Sequence, residues 1–373
     1  MGKQTPNEPT SGFMRRKNLK TIQGDHFSPQ GRFRGDKDRY LNHWPQYVIE
    51  LNNVHIVDKG VILDKNFKYI KECNYQYGFW NSKPCGSTIS TVREYLDCPI
   101  DFGKIPPKDR SERIQIESKI KPTQYLEKGV NYIYGVHYFG WYPFGHFHDL
   151  LQPIEKLDKT NIECPNLLLS GQRWDSIKEF DRQLSLFGFS DKNITKVKVN
   201  WTGTKKESCI FVPKLFYLSP SAYFSQLSIS GLEFIKKAYS KIVTPNHPNG
   251  LKLYLSREKA KNRKVTNNRE VENFLKKLGF IIVDGSESLD KDIELFRNAE
   301  IIIAPHGSLI RNMIHSNQSL RVIEFCPQDR KDFNFKNLGE LMGIDYTWIS
   351  VPCDNKFNIE IDLNKIKKFI KNE

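Results

Sequence analysis

The sequence predicts an α/β protein whose C-terminal half is a doubly wound parallel sheet. Three observations carry this. After the Pro- and Gly-rich stretch 243-VTPNHPNG-250, β-type runs and helical patterns alternate without interruption to residue 351, the pattern of strands joined by helical crossovers. The β-runs are almost wholly apolar, as required where helices cover both faces of a sheet. Polar and glycine-bearing residues fall at the carboxyl ends of those runs, where open parallel sheets bind ligands.

The elements follow in order. Residues 1–45 are polar, rich in Gly, Pro, Lys and Arg, and show little periodicity, so they read as an irregular arm. Short strands are predicted at 47-YVIEL-51, 54-VHIVD-58 and 60-GVILD-64, with a hairpin turn at 58–60. An aromatic, His-rich passage over 136–157 turns helical. A buried strand at 165-PNLLLSG-171 precedes a helix over 179–187 that Gly188 ends. Strand character returns at 209-CIFVPKLFYL-218, and a helix is predicted over 232–242. Beyond the Pro-rich boundary, strands at 251–256, 280–284, 300–305, 320–326 and 345–351 alternate with helices at 269–278, 290–299, 308–315 and 335–343. A basic stretch, 365-KIKKFIKN-372, closes the chain. The expected division is an arm (1–45), an N-terminal α/β unit (46–245), a C-terminal Rossmann-like unit (246–352) and a basic C-terminal helix (353–373).

Composition excludes several classes. With 38% hydrophobic and 27% charged residues the chain is globular rather than disordered. It contains no run long and apolar enough for a transmembrane helix, and its first twenty residues lack the apolar core of a secretory signal. Its seven cysteines are odd in number and form no CxxC, so neither a disulfide framework nor a zinc site is expected, and the thiols point to a reducing, cytoplasmic setting. The net charge of +14 favours anionic partners, including peripheral contact with a membrane face. No nucleic-acid-binding motif accompanies that charge, so sequence-specific nucleic-acid binding is not expected.

The motif that draws attention is 305-PHGSLIRN-312, between an apolar strand and a helix. A nucleophile elbow needs Gly-x-Ser-x-Gly, which is absent. As an anion cradle, Gly307 would bring backbone close to a ligand, the first amides of the following helix would face it, and Ser308 and His306 would add donors. The same residues also read as a plain connection in which Ser308 only caps the helix and His306 is a satisfied turn residue. Ser256, Arg257 and Arg263 fall at the end of the neighbouring strand, where guanidinium groups suit a diphosphate. Glu324, ending the fourth strand, reads either as a ribose-hydroxyl acceptor or as a turn cap. Of the triplets Asp36-Lys37-Asp38 and Asp290-Lys291-Asp292, the first lies in the arm and the second opens a helix, where Asp is a common cap.

Three segments, 254-YLSREKAKNRKVTNNREVENFLKKLGF-280, 288-SLDKDIELFRNAEIIIAPHGSLIRNMIH-315 and 322-VIEFCP-327, together resemble glycosyltransferase family 61. That family includes protein O-linked N-acetylglucosaminyltransferases and plant xylan xylosyltransferases. Ser256, Arg257, Arg263, His306, Gly307, Asn312 and Glu324 match its pattern, while Ser308, Leu309 and Asp292 stand where it has Ala, Gly and Gln. Upstream, 137-HYFGWYPFGHFHDLLQPIEKL-157 resembles the family's aromatic-His passage, with His146 at the His position and Asp149 one step before the usual acidic residue. The passage reads equally as an aromatic core with a capping histidine.

The resemblance implies a GT-B architecture, two Rossmann-like units facing a cleft, and an inverting transfer from a nucleotide diphosphate sugar, UDP-linked by preference, to a hydroxyl of a glycan or of a lipid- or protein-linked acceptor. It implies a base from the N-terminal unit, with Asp149, His146 and His148 as candidates in that order. The donor would lie on Ser256, Arg257, Arg263, His306, Gly307, Ser308, Asn312 and Glu324, with no cofactor required and metal dependence open. Eukaryotic relatives work behind a membrane anchor, so a chain without one reads as a bacterial or viral member or as a shortened piece of a longer protein. Two alternatives stand beside it: a nucleotide-sugar or glycan-binding module without catalysis, and a basic nucleic-acid-binding protein.

Overall fold

The protein is described here by a computed structural model, covering residues 20–22, 48–57, 61–65, 73, 122–135, 148, 151–170, 179–197, 209–219, 227–247, 250–316, 319–329 and 333–370. Its strands form two sheets.

The first sheet has eight strands: β1 (Lys20–Ile22), β2 (Val48–Val57), β3 (Val61–Leu63), β4 (Gln124–Tyr125), β5 (Asn131–Tyr134), β6 (Pro165–Ser170), β7 (Ile194–Val197) and β8 (Cys209–Leu218). The order is β1-β2-β8-β5-β6-β7, with β3 beside β2 and β4 beside β8. Strands β8, β5, β6 and β7 run parallel, and β2 adds an antiparallel edge that β1 and β3 extend. Two sequence expectations change. Lys20–Ile22, within the segment expected to be irregular, pairs with β2. The two strands predicted at 47–51 and 54–58 are one ten-residue strand, carried through Asn53 in left-handed backbone (φ 54°), a conformation Asn tolerates better than most residues. The turn predicted at 58–60 lies outside the described residues.

The second sheet has five parallel strands: β9 (Leu251–Leu255), β10 (Ile281–Val283), β11 (Ala299–Pro305), β12 (Arg321–Pro327) and β13 (Asp345–Val351). The order β10-β9-β11-β12-β13 is that of a doubly wound sheet whose winding reverses between β9 and β11. Period-2 alternation divides its side chains. Leu253, Leu255, Ile302, Ala304 and Val322 belong to one buried cluster, and Tyr254, Ile301, Ile303, Ile323 and Phe325 to another.

Six α-helices are described: α1 (Phe180–Leu186), α2 (Ile229–Tyr239), α3 (Asn268–Lys277), α4 (Leu289–Arg297), α5 (Asn334–Met342) and α6 (Leu363–Ile370). Segments Gln152–Lys159 and Ser308–His315 are 3₁₀ helices. Val271 and Leu275 of α3 and Ile366 of α6 cover one face of the second sheet, leaving Lys365, Lys367 and Lys368 in solvent. On the other face Leu289, Ile293 and Phe296 of α4, Met313 and Ile314, and Phe335 and Leu338 of α5 pack together. A buried Leu, Ile or Phe contributes roughly 1.5–3 kcal/mol relative to exposure, so these clusters fix the helices on the sheet.

Helix α2 joins the two units. Ser228 caps it by accepting from the Gly231 amide (2.9 Å). Gly231 lets the helix close on 152–159, because a Cβ there would lie 2.8 Å from Cβ of Gln152. Its other side, Leu232, Ile235 and Tyr239, shares the core of the second sheet. Polar contacts reinforce the junction: Arg297 donates to the Ile242 carbonyl (2.8 Å), Lys236 to the Ser316 carbonyl (3.0 Å), and the Leu289 amide to Glu179 (2.8 Å). Arg182 bridges Glu179 (2.6 Å) and Asp290 (2.5 Å). Cys164 and Cys353 are free thiols. Among the described residues no helix is long and apolar enough to cross a membrane.

Candidate active site

The reversal between β9 and β11 leaves a crevice beyond their carboxyl ends, the place where such sheets take ligands. A cavity of about 340 Å³ occupies it. Ser256, Arg257 and Lys259 reach it after β9, Asp284 and Gly285 after β10, and Gly307, Ser308 and Asn312 after β11. The other unit and its joining helix supply His148, Gln183 and Tyr239.

Arg257 and Gly307 define its floor. The Arg257 Nε donates to the Arg263 carbonyl (3.0 Å), and one terminal nitrogen donates to the Asn262 carbonyl (3.1 Å). These bonds fix the guanidinium plane and lay its other nitrogen against Gly307, where a Cβ would lie 2.3 Å away. Gly307 itself has extended backbone (φ −176°), so glycine is required here by the close approach of Arg257 and not by φ. The glycine thus makes room for the guanidinium rather than for the ligand itself. Gly307→Ala is expected to push Arg257 off the turn and to weaken binding of an anionic probe, inorganic pyrophosphate, about tenfold by calorimetry, with the thermal midpoint nearly unchanged. That loss is on the order of one charge-assisted hydrogen bond.

Arg263 has a different part from the expected second arm of a clamp. Its side chain is not among the cavity-lining groups, and its carbonyl holds Arg257. It adopts left-handed backbone (φ 57°) and is anchored by its amide to the Lys356 carbonyl (3.2 Å). Lys259 stands at the rim instead, paired with Asp284 at 2.6 Å. That ammonium, with bonds from Ser286, holds the Asp284 carboxyl down to about 2.

His306 and Glu324 also differ from expectation. His306 continues the face of Ile302 and Ala304, so its ring turns into the core, 1% exposed, against Phe335 (centroids 5.2 Å apart). Its Nδ1 donates to Oε1 of Glu324 (2.6 Å), whose Oε2 accepts from the Tyr346 hydroxyl (2.7 Å). The His306 amide donates to the Phe325 carbonyl (2.9 Å). Neither His306 nor Glu324 lines the cavity. They hold the end of β11 to β12 and β13, and thereby the Gly307 turn. His306, Glu324 and Cys326 are the one group of metal-ligating type among the described residues, with ligand atoms within 4.8 Å of one another. Both Glu324 oxygens are already engaged in hydrogen bonds, so the cluster reads as a structural network.

Ser256 lines the cavity, but its hydroxyl donates to Glu272 (2.8 Å) and accepts from Asn268 (3.3 Å), which ties β9 to α3. Ser308 makes no side-chain cap, and the helix it opens is 3₁₀ rather than the expected α-helix. The first amide bonded within it is that of Ile310, to the Gly307 carbonyl (3.1 Å), so those of Ser308 and Leu309 are left over from the intrahelical pattern. Leu309 lies 3.9 Å from the position of a Cβ on Gly285 and forms cavity wall.

Of the expected bases, His148 is described: buried, lining the cavity, edge-on to Tyr239 (5.9 Å). His146 and Asp149 lie outside the described residues, as does the Asp36–Asp38 triplet. In the second triplet Asp290 pairs with Arg182, and Asp292 is buried in the cavity wall. Gln183, Tyr239 and His315, also cavity-lining, carried no motif; the period-3.6 patterns mark Tyr239 and His315 only as inward positions on their helices.

The comparisons with known proteins agree with this geometry in one respect. Residues 144–323 match the family model for glycosyltransferase 61, a span that includes His148 and the cavity residues from both units. No curated protein matches the sequence. Among solved structures, an E. coli heptosyltransferase, WaaC with ADP, is similar over 65% of this chain and 99% of its own, at 9% identity and a TM-score of 0.33.

Proposed function

We propose that this chain, whose residues 144–323 match the family model for glycosyltransferase 61, moves a sugar from a nucleotide diphosphate, UDP by preference, to a hydroxyl of a glycan or glycoconjugate acceptor, with inversion. The observation that carries this reading is Arg257 locked over Gly307 at the winding reversal of the second sheet. A fixed guanidinium meets the charge that develops on a departing diphosphate and needs no reorganisation as that charge forms. Lys259 stands at the rim in an ion pair with Asp284, and the amides opening the Ser308–His315 helix add neutral donors.

In this reading the acceptor oxygen attacks the anomeric carbon on the side opposite the diphosphate. The new C–O bond forms as the bond to the diphosphate oxygen breaks, and the acceptor proton passes to a base on the cavity wall of the N-terminal unit. His148 is the described candidate.

The test is a panel of UDP-, GDP-, ADP- and CMP-linked sugars, with and without a divalent cation, scored by nucleotide release and by calorimetry. Release from one nucleotide class supports the reading. A binding module would bind one class without turnover, and failure of every donor to bind would remove the reading altogether.

A further inference from the structure

The cavity has two chemically different ends. The outer end carries Arg257 and the Lys259–Asp284 ion pair. The inner end lies where the two units meet and is built from Tyr239, His148 and His315. His315 packs edge-on against Tyr239 (centroids 4.6 Å, 76°) and His148 (6.5 Å, 82°). The Tyr239 hydroxyl is tied to Gln183, which holds that ring in place. Among the described residues, none makes a hydrogen bond to a His315 ring nitrogen, and the half-buried imidazole faces the cavity.

His315 and the phosphate-facing turn sit on one short element. Ser308 opens the helix and His315 closes it, so with about 2.0 Å of rise per residue the two lie roughly 14 Å apart along its axis. Side chains on a helix lean toward its N-terminus, which brings the imidazole back toward the Arg257 end. Burial, with repulsion from Arg297 and Lys236, pushes His315 down to about 3. At neutral pH the ring therefore carries one N–H donor and one acceptor lone pair. That pairing complements a hydroxyl, which also donates and accepts, whereas toward a phosphate, which only accepts, the lone pair would go unused.

We propose that His315, braced by Tyr239 and His148, contacts the hydroxyls of the transferred sugar at the inner end of the cavity. The inference rests on the glycosyltransferase reading and deepens it. The nucleoside and the sugar leave the diphosphate in opposite directions. The sugar must face the unit that brings the acceptor, and the inner end is where that unit meets the cavity.

The test compares UDP with UDP-N-acetylglucosamine and UDP-xylose by calorimetry on wild type, His315→Phe and His315→Gln. Phenylalanine keeps the packing on Tyr239 and removes both nitrogens; glutamine keeps a donor and an acceptor. For His315→Phe, UDP affinity is expected to stay within about twofold, while affinity for a sugar donor that wild type binds falls about 3- to 10-fold, the worth of one neutral hydrogen bond. His315→Gln should recover part of that loss. A parallel fall for UDP and the sugar donor, or no change in either, overturns the inference while leaving the glycosyltransferase reading intact. If wild type binds no nucleotide at all, both fall.

Discussion

Arg257→Ala is expected to lower kcat/KM about 10²- to 10³-fold, the scale for removing one preorganised donor at a developing negative charge. The position of the guanidinium explains the size. Two of its nitrogens are held by the Arg263 and Asn262 carbonyls, and the third lies against the Gly307 backbone. None of this geometry has to be organised during the reaction. Arg257→Lys should recover little, because an ammonium cannot span two carbonyls and the turn at once. Steady-state kinetics on the donor selected by the panel distinguish the roles. A fall concentrated in kcat marks charge stabilised in the transition state, and a rise in KM alone marks ground-state binding. Unchanged turnover in Arg257→Ala would remove the diphosphate seat from this turn.

Glu324→Ala is expected to be the most destabilising single change near the site. Glu324 is fully buried and accepts from both His306 and Tyr346. Removing it strands the buried His306 donor at roughly 1–3 kcal/mol and unties the half-buried Tyr346 hydroxyl, and the vacated volume adds to the loss. The thermal midpoint should fall by roughly 10 °C. Glu324→Gln keeps the shape and one accepting oxygen and should lose less than half as much. Because the network holds the end of β11, nucleotide affinity should decline with stability in the same variants. A Glu324→Ala protein as stable as wild type would show that the network does not support the turn.

Several site residues were legible in the sequence because a motif marks them. Arg257, Gly307, Ser308 and Asn312 all reach the cavity. The motif leaves His306 open between a rim donor and a satisfied turn residue; strand parity places it on the face of Ile302 and Ala304, and there it is satisfied by Glu324. Arg263 was read for its guanidinium, whereas the structure uses its carbonyl; no feature of an arginine in a basic loop announces that. His315, Tyr239 and Gln183 come from three helical segments separated in sequence, and only packing brings them to one cavity end.

By itself the sequence determined the alternation of strand and helix after residue 250 and the burial of both faces of that sheet, because side-chain period is a local property of the backbone. It also placed Ser256, Arg257, Gly307 and Ser308, which line the cavity, at the strand ends. Tertiary structure alone decided the strand order β10-β9-β11-β12-β13, hence which two strand ends flank the crevice. It also decided that a glycine makes room for Arg257 and that His306 and Glu324 form a buried brace. Those outcomes depend on contacts between residues far apart in the chain, which no local pattern encodes.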